Sequence, residues 1–327
     1  SPNLVTVSGG EEKTVNLKGK DPTTEKKVED KDWASAQVGT KVTFKVTSQV
    51  PDMTGKKNYV FRLKDTLSKG LTMNVNDFKS VKIGEAALTK DSDYTVKVAP
   101  GTKAETTDLV VEINGFEKYN GQAGSNIVFE YQAEVNKDAV TVKNATNEAH
   151  VEYGNDPNQM GSSQPDKVKV YTHTLTITKV DGKDQTPLAG AEFELYEGTS
   201  VQEGKIIKLV DEGKGVYHVP DTTELTTTTT VVSPTTGIIT IKGLKEGTYT
   251  LKETKAPDGY NKGKDTEITI TAESNDGGET VTVTGNTITV ENNSGLQLPS
   301  TGGMGTIIFV AAGVCVVGFL IFTSRKT

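Results

Sequence analysis

Side chains that alternate between apolar and polar run through almost the whole of this chain, and they leave little room for helices. Val42, Phe44 and Val46 alternate with polar residues, as do Ile127, Phe129, Tyr131, Ala133 and Val135. The same period returns in Leu175 and Ile177, in Ala191, Phe193 and Leu195, and in Ile288 and Val290. Successive side chains of a strand point to opposite faces, so each run predicts a strand with one face in a core. Asn120-Gly121, Asp181-Gly182, Pro257-Asp258-Gly259 and Asp276-Gly277-Gly278 supply turns between them. No amphipathic helical pattern stands out before the carboxyl end. The threonine run 226–230 is β-prone but polar on both faces, and reads as a loop or an edge insertion. A polar stretch over residues 154–166, with two prolines, divides two strand-rich regions. At 327 residues the chain is too long for one compact sandwich. The expected fold is therefore all-β: two tandem immunoglobulin-like β-sandwich domains, residues 1–171 and 172–294, then a C-terminal tail over 295–327 that carries a hydrophobic transmembrane segment.

Composition removes several function classes. Hydrophobic residues make up 34% and charged residues 24%, enough to build cores and too little polarity for wholesale disorder. A net charge of −7 argues against nucleic acid as a partner. His150, His173 and His218 are scattered without metal-ligand spacing, and no phosphate-cradling glycine loop occurs, so no metal and no cofactor are expected. The single cysteine, Cys315, excludes a disulfide within the chain. The chain opens at Ser1 without a signal peptide, which points to processing or truncation at that end.

Six polar residues interrupt the apolar faces. Lys26 shares a face with Val28; Asp65 continues that of Tyr59, Phe61 and Leu63; Asn147 heads that of Ala149, Val151 and Tyr153. In the second region Lys179 follows Leu175 and Ile177, Glu253 follows Tyr249 and Leu251, and Asn292 follows Ile288 and Val290. All six are predicted to point inward. Lys27 and Asn293 are adjacent rivals that fall on the opposite strand faces. Each region thus gives the same set in the same order: lysine early, acid midway, asparagine at the end. A desolvated lysine loses its preference for the charged form and becomes a nucleophile, while a desolvated carboxylic acid holds its proton. Brought together in a dry core, the amine attacks the asparagine carboxamide, the acid protonates the amide oxygen, and ammonia leaves. The product is a Lys–Asn isopeptide bond. The competing reading is a buried Lys–acid ion pair capped by an asparagine, a costly trio to keep unreacted.

At the carboxyl end Leu298, Pro299, Ser300, Thr301 and Gly302 are followed by an apolar run over about 307–322 and then Arg325 and Lys326. Residues 303–323 just reach the length of a spanning helix, and the basic residues would stay cytoplasmic. A plain membrane anchor is the simpler reading. The order of pentapeptide, apolar run and basic tail resembles the LPxTG cell-wall sorting signal at every defined position. That resemblance implies a sortase as partner, cleaving after Thr301 and passing the acyl group to an amine of peptidoglycan or of a neighbouring subunit. The membrane is then a partner only before cleavage.

The stretch Tyr249-Thr-Leu-Lys-Glu253-Thr-Lys-Ala-Pro257-Asp-Gly259-Tyr260 resembles the E box of sortase-assembled pilins. Leu188-Ala-Gly190-Ala191-Glu-Phe193 is similar to early strands of collagen-adhesin B-type domains. Gly39 together with Asp65-Thr-Leu-Ser-Lys-Gly70-Leu71 resembles the isopeptide-forming domain in the middle of shaft pilins. Together the resemblances cover most of the chain. They imply isopeptide centres at Lys26, Asp65 and Asn147 and at Lys179, Glu253 and Asn292, with the acids assisting. They also imply a cell-wall or pilus location at the cell surface. One departure stands out: the Tyr-Pro-Lys-Asn motif of shaft pilins is absent, and Thr172 and His173 follow Tyr171 where its Pro and Lys would stand. Either that motif lies in an upstream domain, making this a fragment of a major pilin, or the chain is an anchoring or accessory subunit. Trp33 and nearby Asp residues are a further candidate surface for a sugar or host protein, although a core tryptophan is commoner. Asn144-Ala145-Thr146 fits a glycosylation acceptor, which carries little meaning in a bacterium. The functional alternatives are a structural pilin and a monomeric wall-anchored adhesin for a host matrix protein. Enzymatic activity is not expected, since no exposed catalytic constellation is visible.

Overall fold

The computed structural model describes residues 21–156 and 158–295. Contacts divide them into two compact units, one of residues 21–34, 41–134 and 145–170, the other of 35–40, 135–144 and 171–295. Among the described residues there are only strands, turns and three short 3-10 segments, Val75–Asp77, Phe116–Gln122 and Lys137–Thr141. No helix among them is long and apolar enough to cross a membrane. The sorting-signal residues Leu298, Pro299, Ser300, Thr301 and Gly302, and the apolar run after them, lie outside the described residues.

The first unit packs two antiparallel sheets. Its main strands are β1 (Glu25–Val28), β2 (Lys41–Gln49), β3 (Val60–Leu67), β4 (Phe78–Ile83), β5 (Tyr94–Pro100), β6 (Thr107–Ile113), β7 (Asn126–Val135), β8 (Ala145–Gly154) and β9 (Asp166–Tyr171). One sheet runs β1-β2-β7-β4, the other β9-β8-β3-β6-β5. Strict alternation in β2, β3 and β7 buries Val42, Phe44, Val46, Phe61, Leu63, Phe129 and Tyr131 between the sheets. Each large apolar side chain removed from water in this way stabilises by roughly 1.5–3 kcal/mol.

The second unit is built from β10 (His173–Asp181), β11 (Glu192–Glu197), β12 (Val210–Gly213), β13 (Val216–His218), β14 (Ile238–Leu244), β15 (Gly247–Lys255), β16 (Thr266–Glu273), β17 (Thr282–Thr284) and β18 (Thr287–Asn292). One sheet runs β12-β13-β14-β10-β18 and the other β11-β15-β16-β17. Leu175, Ile177, Phe193, Leu195, Ile239, Ile241, Tyr249, Leu251, Ile268 and Ile270 fill the space between them. Its first and last strands, β10 and β18, are parallel neighbours, with Lys179 opposite Val290 and Asp181 opposite Asn292.

One local expectation needs revision. The polar stretch 154–166 is no divider of domains: it joins β8 to β9, which pair with each other, and Gly161–Ser162 adds a short strand on β8. Proline and polarity there mark a hairpin connection inside the first unit. The threonine run fits the expected loop or edge insertion: it is loop at its start, and Thr230–Val232 forms a short added strand on β11.

Candidate functional site

In the first unit the pleat brings three of the inward residues together. Lys26 on β1 lies opposite Val46 of β2, which in turn lies opposite Phe129 of β7; Tyr131 follows on the same face. Asp65 on β3 pairs with Ala149, and Asn147 on β8 pairs with Leu67, so the acid and the amide are diagonal neighbours in one sheet while the lysine reaches across from the other. Lys26, Asp65 and Asn147 are all buried, and the Lys26 and Asp65 side chains are wholly inaccessible. Lys26 Nζ donates to Asp65 Oδ2 and to Tyr131 Oη; Tyr131 Oη donates to Asp65 Oδ2. Asn147 Nδ2 donates to Tyr131 Oη at 3.1 Å. The Phe44 and Phe78 rings stack on Tyr131 with centroids 5.5 and 6.2 Å away, which fixes its hydroxyl in place.

Burial sets the electrostatics of this cluster. It lowers the Lys26 ammonium below its ordinary value, against the opposing pull of Asp65. It raises the Asp65 carboxyl, against the pull of Lys26. Both directions favour the neutral amine beside a protonated acid, the form in which the amine has a free lone pair. Burial, aided by the Asp65 charge, also holds the Tyr131 hydroxyl well above the ordinary tyrosine range.

The second unit assembles its trio differently. Lys179 on β10 and Asn292 on β18 lie in the same sheet, two residues apart across a parallel ladder, and Glu253 projects from β15 of the facing sheet. All three are buried. Lys179 Nζ donates to the Val290 and Val180 carbonyls at 3.1 and 3.2 Å. Asn292 Nδ2 donates to Glu253 Oε2 at 2.9 Å and to the Asn261 carbonyl. The Gly263 N–H also donates to Glu253 Oε2. Burial lowers the Lys179 ammonium to about 8, with the Glu253 charge opposing. Two glycines make room for this. Gly237 sits at φ 71° and takes the Lys179 N–H on its carbonyl, and a Cβ there would fall 2.5 Å from the Lys179 carbonyl oxygen. A Cβ on Gly263 would lie 3.3 Å from Glu253 Oε2.

The hydrogen-bond pattern differs from the expected one in a single respect. Neither acid touches an amide oxygen: Asn147 Oδ1 and Asn292 Oδ1 have no partner, nor do Asp65 Oδ1 and Glu253 Oε1. The Asn261 carbonyl, an acceptor only, fixes the Asn292 amide with its nitrogen towards Glu253. The acid therefore meets the amide nitrogen and not the amide oxygen, directly in the second unit and through Tyr131 in the first. Sequence reasoning passed over Tyr131 because it fitted an apolar alternation. Its signal was the phenol itself, since a tyrosine on a fully buried face needs a partner for its hydroxyl.

The rival positions are turned outwards. Lys27 pairs with Asp32 and Glu25 at the surface, and Asn293 is exposed. His218 is held between Glu212 and Glu224. Among the described residues no group of three or more His, Cys, Asp or Glu side chains is placed to hold a metal ion.

Both units are thus all-β sandwiches of the immunoglobulin-like kind, each with a buried lysine, acid and asparagine between its sheets. The family comparison makes the class specific: residues 38–157 match the Gram-positive pilin backbone subunit 2, Cna-B-like domain, and residues 173–287 match the SpaA prealbumin-like fold domain. The chain therefore carries two domains of Gram-positive pilin families, and its relatives are fimbrial subunits and major pilins of Gram-positive bacteria. It is 28% identical over 317 residues to fimbrial subunit type 2 of Actinomyces naeslundii, covering 89% of this chain and 57% of that one. It is 27% identical to the trypsin-resistant surface T6 protein of Streptococcus pyogenes, covering 74% and 44%. The chain thus spans about half the length of the curated relatives it matches. Among solved structures, the C-terminal fragment of the major pilin GBS80 of Streptococcus agalactiae superposes with a TM-score of 0.61 at 25% identity, covering 76% of this chain and 91% of that one. The full-length major pilin SpaD of Corynebacterium diphtheriae gives a TM-score of 0.56 at 26% identity, covering 85% and 66%.

Proposed function

We propose that this chain is a structural subunit of a sortase-assembled pilus. In this reading it is stiffened by two self-made cross-links, Lys26–Asn147 and Lys179–Asn292, and joined to the next subunit or to peptidoglycan through Thr301. The observation that carries the reading is the recurrence of one buried lysine, acid and asparagine in each of two differently connected sandwiches. A buried charged trio is costly to keep, whereas a neutral amide in the same place carries no charge to desolvate. Asp65 and Glu253 take the proton from their lysines, and Glu253, which touches the Asn292 nitrogen, also returns one to it as it departs, so the acids help to make the bonds and carry no load afterwards. The domain scheme is 1–171, 172–294 and 295–327, the last held in the membrane until sortase cuts it. The similarity to fimbrial subunits and major pilins supports a surface location and assembly with other pilin subunits. The test is the mass of the intact purified chain together with its cross-linked peptides. It should weigh two ammonia molecules less than its sequence. A mass equal to the sequence value would remove both cross-links.

A further inference from the structure

The first trio contains a fourth member. Tyr131 Oη is the one atom in hydrogen-bond contact with all three of Lys26 Nζ, Asp65 Oδ2 and Asn147 Nδ2. Among their hydrogen bonds, Asn147 has no direct one to Asp65, and its Nδ2 meets the cluster through the phenol. The second trio has a different arrangement, because Glu253 reaches the Asn292 nitrogen itself.

The proton balance of the reaction shows what that position can do. The Lys26 lone pair attacks Asn147 Cγ, the Nζ–Cγ bond forms, and the carbonyl π electrons move to Oδ1. When that oxyanion collapses, the Cγ–Nδ2 bond breaks and Nδ2 leaves as ammonia. Nζ must lose one proton and Nδ2 must gain one; nothing is oxidised or reduced, and no other reactant is needed. The group that joins these two nitrogens in the structure is the phenol.

Resting on the proposed Lys26–Asn147 cross-link, we propose that Tyr131 is a catalytic residue of the first centre, its hydroxyl relaying a proton from Lys26 Nζ to Asn147 Nδ2. Asp65, bonded to both Nζ and Oη, holds the proton removed from the lysine before attack and steadies the phenol during the relay. The ring is clamped by Phe44 and Phe78, so the hydroxyl is held where both nitrogens can reach it. The hydroxyl stays protonated at neutral pH, because burial raises it well above the ordinary tyrosine value. General acid–base groups typically contribute 10²–10⁴-fold, so loss of the hydroxyl should slow linkage by about a hundredfold or more.

The experiment compares the full wild-type chain with Tyr131→Phe, which keeps the ring and its stacking. Samples taken at intervals after synthesis are digested, and the linked peptides containing Lys26–Asn147 and Lys179–Asn292 are quantified by mass spectrometry. The second centre serves as an internal clock and as a check that the chain has folded. The expected result is normal Lys179–Asn292 linkage in both chains, with Lys26–Asn147 linkage delayed only in Tyr131→Phe. Linkage of Lys26 to Asn147 at the wild-type rate in Tyr131→Phe would overturn the inference and leave the cross-link reading intact. Absence of the Lys26–Asn147 link from the wild type would overturn the cross-link reading and the inference together. Should Tyr131→Phe be poorly folded, 3-fluorotyrosine at 131 gives the same decision. It retains the hydroxyl while making it more acidic, so the pH profile of first-centre linkage should shift to lower pH, and an unmoved profile would refute the relay.

Discussion

Glu253→Gln separates making the second cross-link from packing around it. A glutamine carbonyl can still accept the Gly263 N–H and the Asn292 amide, so the shape of the site survives. It cannot take a proton from Lys179 or return one to the departing nitrogen. The proposed link closes a ring of about 110 residues, and removing such a ring costs roughly 5 kcal/mol in the chain-entropy account of cross-links. For a domain of this size each kcal/mol moves the melting temperature by about 4 °C, so a fall of about 20 °C is expected. The unlinked Lys179, buried with only carbonyl oxygens for hydrogen-bond partners, adds to that loss. Intact mass reports the bond and calorimetry reports the stability on the same sample. A Glu253→Gln chain that still loses both ammonia molecules and melts with the wild type would show Glu253 to be only a buried structural acid.

Two further outcomes are open to measurement. Thr301→Ala should leave the protein in the membrane fraction, not among wall fragments released by a muralytic enzyme, and wall partition equal to the wild type would dismiss the sortase reading. Asn292→Ala leaves Lys179 as a free amine that is depressed in the folded state to about 8 from 10.5. Between those values the unfolded chain binds the proton and the folded chain does not, so stability should rise with pH across that window. The wild type, linked as proposed, would have no amine there to titrate, so denaturation curves for the two chains that move in parallel with pH would contradict this.

The inward residues were legible because a period of two assigns faces: a lysine two places from Val28, or an asparagine two places from Val290, has no other side to occupy. A face is not a partner, however. Nothing in the alternation says that β10 and β18 run parallel in one sheet, or that Lys26 and Asn147 sit on opposite sheets, because strand order depends on connections far apart in sequence. Tyr131 was hidden for the same reason, its phenol being readable as apolar until its neighbours were known. The stretch 154–166 misled in the other direction. Proline and polarity mark a surface connection equally well within a domain and between two, and only the pairing of β8 with β9 decides. The amide orientation at Asn292 hangs on the backbone carbonyl of Asn261, which no side-chain pattern can place.

The positions of the two proposed links have a mechanical corollary. Tension entering at Lys26 would leave β1 through the bond to Asn147, bypassing everything in between, and tension arriving at Lys179 would pass straight to Asn292. Only the backbone from 148 to 178 lies in series between the two short circuits, and β8, β9 and β10 hold it by hydrogen bonds and packing alone. Those roughly 30 residues can extend to about 100 Å before the pull meets nothing but covalent bonds. With both proposed links in place, this one stretch of backbone is the part that could give way under load, a fixed allowance of slack that ends when it is drawn straight.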